Sequence, residues 1–109
     1  MSLDVNELAR TMLGAARDAV SDRWPQIQDL AEVEFQRLAA SIADTGRLAV
    51  EGKITEARAR HIAHMHQISA RSILCTVEGL GIHTAEQALT AGIRSVIQVV
   101  NGAVKFALL

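Results

Sequence analysis

The sequence is poor in the residues that advertise chemistry or interrupt a fold. Among its 109 residues are one cysteine, one proline, no tyrosine and three aromatic rings, on Trp24, Phe35 and Phe106. A single thiol, Cys75, excludes an internal disulfide framework and suits a reducing compartment. A core almost without rings must be built from Leu, Ile, Val and Ala. Alanine is the strongest helix former and lets backbones approach closely, which favours packed helices over sheets. Charge of one sign is also missing: eleven basic against twelve acidic residues leave a net charge of −1. Without a basic stripe to displace counter-ions from phosphate, nucleic acid is not an expected partner. The opening MSLDVNELAR carries acids where a secretory leader carries positive charge. The expectation is a soluble, cytoplasmic protein. Half the residues are hydrophobic and 21% are charged, so the chain reads as one folded domain over 1–109 rather than a disordered segment.

Helical spacing and a few breakers divide the chain. Leu8, Met12, Ala16 and Ala19 recur at helical intervals over about residues 4 to 22, a thin stripe. Trp24 then precedes Pro25, and proline suits a helix's first turn, so a new helix is expected to begin there. Val-Glu-Gly occurs at Val50–Gly52 and again 27 residues later at Val77–Gly79. In each copy glycine can adopt the left-handed conformation that ends a helix. A threonine follows as N-cap, Thr55 or Thr84, and Thr84 with Gln87 has capping-box spacing. Helices are therefore expected over 25–51, 55–78 and 84–108. The expected fold is all-α: an up-down helical bundle with a shorter N-terminal helical arm (1–24) and a three-helix up-down-up unit (25–109). The Gly-Leu-Gly of residues 79–81 follows no strand, so helix termination accounts for it better than phosphate binding.

Apolar faces point to self-association. The 25–51 helix is ordinarily amphipathic, with Ala31, Phe35, Leu38, Ile42 and Ala49 opposite Asp29, Glu32, Gln36, Arg47 and Glu51. In the 55–78 helix the polar residues Glu56, Arg60, Gln67, Arg71 and Glu78 form only a narrow stripe. The last helix likewise confines Gln87, Arg94, Gln98, Asn101 and Lys105 to one strip. Helices apolar over half their circumference need covering from more than one side, and a symmetric homo-oligomer is the expected remedy. The expected interface comprises Ile68, Ile73, Ala88, Gly92, Val96, Val99, Val100 and Phe106. The stretch ALTAGIRSVIQVVNGAVKFALL at 88–109 also suits a membrane surface, which gives a membrane-associated amphipathic reading. Crossing the bilayer is disfavoured, because Arg94 and Lys105 would each cost about 3 kcal/mol at its centre.

The sole hint of chemistry is RHIAHMHQIS at 60–69, with three of the four histidines in six positions. On a helix His61 and His64 lie about 60° apart, whereas His66 lies about 140° from the first and 160° from the second. Only the pair can share a ligand site. Across a hairpin turning near residue 52, His61 faces Asp44 and His64 faces Ser41, while Glu34 approaches Arg71. His61, His64 and Asp44 are thus the candidate set for a divalent metal, zinc or a ferritin-like centre, although no Glu-x-x-His motif is present. Apolar neighbours favour packing histidines over ligands, with His61 and His66 inside the apolar arc. Cys75 and His83 are too far apart along the chain for a simple dyad. No catalytic or cofactor-binding residues are assigned. The expectation is a non-enzymatic, self-associating structural or interaction module, whose partner is a second copy of itself.

Overall fold

The computed structural model describes residues 3–109. Four α-helices follow one another: α1 (Val5–Val20), α2 (Trp24–Val50), α3 (Glu56–Leu74) and α4 (Ile82–Val104). No strand occurs among the described residues, so the all-α reading is met, and no described helix is long and apolar enough to cross a membrane. The 27 residues of α2 rise about 40 Å at 1.5 Å each. That nearly spans the 43 Å long axis of the molecule, making α2 the mast against which the others lie.

Local chemistry sets the helix ends. The Asp4 side chain caps α1 by accepting from the Glu7 N–H at 3.2 Å. A single 3₁₀ turn, Ser21–Arg23, reverses the chain, and Pro25 falls in the first turn of α2. Thr55 caps α3 as expected, its hydroxyl accepting from the Arg58 N–H at 3.1 Å. Three boundaries differ from the sequence reading. First, α3 stops at Leu74 rather than near 78. The Thr76 hydroxyl and backbone N–H both donate to the Ile73 carbonyl, at 2.6 and 3.0 Å, drawing the chain into a tighter turn. Second, α4 starts at Ile82, so Thr84 lies inside it. Gly81 turns the chain with φ +84° directly after the buried Leu80, leaving no room for a later cap. Third, α4 ends at Val104 instead of near 108. Asn101 Oδ1 accepts from the Leu108 and Leu109 N–H groups, both at 3.0 Å, which folds the tail back and buries Leu108.

Packing runs through α1. Its buried residues Leu8, Ala9, Met12, Ala16 and Val20 lie against both α4 and α2. The thin stripe suffices because α4 presents small groups there, Ala85, Ala88 and Gly92, that let the backbones close. A β-carbon on Gly92 would stand 2.5 Å from Phe35 Cε1 and 3.4 Å from the Met12 carbonyl oxygen. Helix α3, by contrast, packs on α2 and only sparingly on α4. At one end the Arg23 guanidinium donates to the Gly79 carbonyl at 3.0 Å, joining the α1–α2 turn to the α3–α4 turn.

Two outcomes follow. Gly92→Ala is expected to destabilise the protein by about 1–3 kcal/mol through overpacking on the enclosed Phe35 ring. Gly14→Ala, whose new carbon meets nothing within 4 Å, is expected to stabilise α1 by about 0.5–1 kcal/mol. Urea unfolding of both variants reads the contrast, and equal effects would contradict the packing described. The second concerns the α2–α3 turn. The Lys53 ammonium, 3.1 Å from Glu51 Oε1, holds that carboxyl below its ordinary value, with help from Arg47 at 3.3 Å. A carboxyl lowered by folding stabilises the turn above its unfolded-state pKa, and this contribution fades as pH falls through the lowered value. Lys53→Met is expected to move the Glu51 titration upward, as read by carboxyl-carbon NMR. An unmoved titration would show that the ion pair is not formed in solution.

Candidate functional site

Helix α3 distributes its side chains in an unusual order. Its inner face is almost wholly alanine: Ala59, Ala63 and Ala70 are buried together with Leu74, so α3 lies close on α2. Glu56 and Arg60 of its polar stripe are exposed, and the C-terminal part of the stripe, Gln67 and Arg71, lies beside α4. Gln67 is half-buried there, and the Arg71 guanidinium donates to Glu86 Oε1 of α4 at 2.9 Å. A groove of about 330 Å³, lined by His64, Gln67, Ile68, Arg71 and Leu89, runs along this seam. The outer side of α3 carries His61, Met65, Ile68 and Ser72, all exposed, at positions i, i+4, i+7 and i+11 of one face, with Ile68 at the rim of that groove. Met65 is 56% exposed and Ile68 45%.

The residues expected at an oligomer interface divide into three groups. Ala88, Gly92, Val96 and Val100 are buried within the chain, where α1 covers α4. In this conformation they are not available to a second copy. Ile73 and Phe106 are half-buried, whereas Ile68 and Val99 remain exposed. The physical reason is that the N-terminal helix supplies the cover that the sequence reading assigned to another subunit.

His64 was expected at the polar edge of its helix, and His61 and His66 inside the apolar arc as buried or interfacial residues. His61, His64 and His66 are all exposed, so the chain itself does not bury them. Their separation by direction does hold in the structure. His64 lines the α3–α4 groove, while His66 lines a different groove between α2 and α3. Asp44 is exposed as well. Among the described residues no group of three or more His, Cys, Asp or Glu side chains comes together to hold a metal ion. Within one chain, then, His61, His64 and Asp44 do not assemble into a ligand set. Cys75 is half-buried and His83 exposed.

One group was misplaced by the helix-hairpin register. Glu34 does not meet Arg71, which is occupied by Glu86. Glu34 is buried and bonds instead to Arg37, one turn along its own helix, at 3.2 Å. The i, i+3 spacing of Glu34 and Arg37 was the available signal. The groove beside it, about 380 Å³, includes Ser41, His66 and Ser69 in its lining.

No protein-family model, curated protein or solved structure matches the chain.

Proposed function

We propose that this chain is a non-enzymatic assembly module whose α3 face pairs with a second copy, completing an up-down helical bundle that one chain leaves open on that side. The observation that supports this reading is the exposure of two large apolar side chains, Met65 and Ile68, on the outer side of α3. A helix whose outer side meets only water carries its polar residues outward. Here Arg71 is turned to α4 and bound to Glu86, while Met65 and Ile68 face out.

A two-fold axis lays one stripe against the same stripe on the other copy. The stripe His61–Met65–Ile68–Ser72 contains no carboxylate, ammonium or guanidinium group. Antiparallel pairing centred between Met65 and Ile68 keeps the two copies of Arg58, on the same face one turn before His61, at opposite ends of the contact. Methionine adapts its shape to whatever surface it meets, which suits such a contact. Magnitudes set the strength. Covering a half-exposed Met or Ile is worth roughly 1 kcal/mol, so four such side chains contribute about 4 kcal/mol. Micromolar pairing needs about 8 kcal/mol. About 4 kcal/mol corresponds to millimolar pairing at best, before the freedom lost on association. The association is therefore weak and reversible, with Gln67, His64 and the groove beside Leu89 adding to the two apolar anchors.

Sedimentation velocity over a concentration series tests the reading. The mass of the unaltered protein is expected to rise from one chain toward two. The double variant Met65→Glu, Ile68→Glu is expected to stay at one chain with an unchanged far-ultraviolet circular dichroism spectrum, since neither side chain belongs to the core. An unaltered protein that remains a single chain up to its solubility limit overturns the proposal.

A further inference from the structure

The second groove, on the α2 side of α3, contains a buried carboxylate with one of its two oxygens left without a hydrogen bond. Glu34 projects from α2 toward α3 and is only 5% exposed. Removing a carboxylate from water is costly unless donors or cations surround it. Its one hydrogen bond comes from Arg37, whose side chain is 71% exposed and reaches back from solvent to Oε2. Across the groove α3 offers Ala70 and Ile73, with Ser69 and His66 beside them. Arg71, the one arginine near this part of α3, is turned to α4 and held there by Glu86. Glu34 Oε1 therefore receives no hydrogen bond among the described residues. It is not sealed in either, because among the described residues no enclosed side-chain oxygen or nitrogen lacks a partner. The free oxygen opens on the groove.

We propose that this groove binds a small organic cation, a primary ammonium or guanidinium group on a short apolar stem, with Glu34 as its counter-ion. The cation's N–H donates to Glu34 Oε1, supplying the charge-assisted bond that the chain leaves unmade. The hydroxyls of Ser41 and Ser69 accept the remaining hydrogens, and Leu38, Ala70 and Ile73 cover the stem. The volume of about 380 Å³ lies at the small end of ligand sites, enough for a head group and a few methylenes. An anion is excluded by the same geometry. Arg37 could attract one, but the anion would then lie against a buried carboxylate that already engages that guanidinium. The groove shares no lining residue with the seam lined by His64 and Ile68, so the inference stands independently of self-association.

Heteronuclear NMR titration tests it, with n-butylammonium and n-butylguanidinium as probes and n-butanol and butyrate as controls of the same length. At least one cation is expected to shift the amides around residues 34–41 and 66–73, with neither control doing so. Glu34→Gln keeps the shape of the side chain and removes its charge, and is expected to weaken binding at least about tenfold. Arg37→Ala leaves the core untouched and removes the competing guanidinium. It is expected to strengthen cation binding, which keeps the proposal testable even if Glu34→Gln unfolds. Equal shifts with butanol, no cation shift at all, or unchanged affinity in Arg37→Ala would overturn it.

Discussion

Everything in this fold depends on how closely α4 approaches the α1–α2 pair at Gly92. The absence of a side chain there lets the helix backbone rest on the Phe35 ring and near the Met12 carbonyl. Ala85 and Ala88 continue the same close contact, and Val96 and Val100 are buried on the same helix. A helix packed this tightly against one partner has little apolar surface left for others. The short N-terminal helix, with no more than Leu8, Ala9, Met12, Ala16 and Val20 to contribute, thereby becomes the main cover for the most apolar helix of the chain.

The consequence falls on α3. With α4 committed to α1, α3 keeps only α2 as a close neighbour, and its alanine face suits that single contact. Toward α4 it offers an arginine and a glutamine, and the Arg71–Glu86 bond bridges a seam that apolar packing does not close. About half of each partner in that bond is exposed, so it is worth no more than about 1 kcal/mol and serves more to orient α3 than to fix it. Two grooves result, one on each side of α3, and the two histidines His64 and His66 fall one into each. Met65 lies on the outer face between them, and Ile68 lies where that face meets the α3–α4 groove.

Much of this was legible in the residues. Helix periodicity, Pro25 and the glycines located all four helices to within a few residues. Gly52, Gly79 and Gly81 all take the positive φ that their place in the sequence suggests. The wheel arithmetic that divided the histidines also held, because it depends only on the 100° advance of a helix. What could not be read was the choice of partner for each face. Periodicity shows that Ala88, Gly92, Val96 and Val100 share a stripe but is silent on whether α1 or another copy covers it. Glu34 failed for a related reason. Register arithmetic pairs residues by height along two helices, whereas Arg71 points sideways to α4 and Arg37 lies one turn from Glu34 on its own helix. Thr84 shows the limit of capping patterns: the spacing was right, but a positive-φ glycine three residues earlier had already started the helix.

Helix α3 is the least supported helix of the single chain, and the proposed pairing would support it from a second copy. Native-state hydrogen exchange, followed residue by residue at low and high protein concentration, tests both halves at once. At low concentration the amides of 59–74 are expected to exchange through smaller openings than those of 85–100 in α4. At high concentration protection is expected to rise in α3 while α1 and α4 change little. Equal protection of α3 and α4 at every concentration would mean that α3 is neither less supported in the single chain nor covered by a second copy.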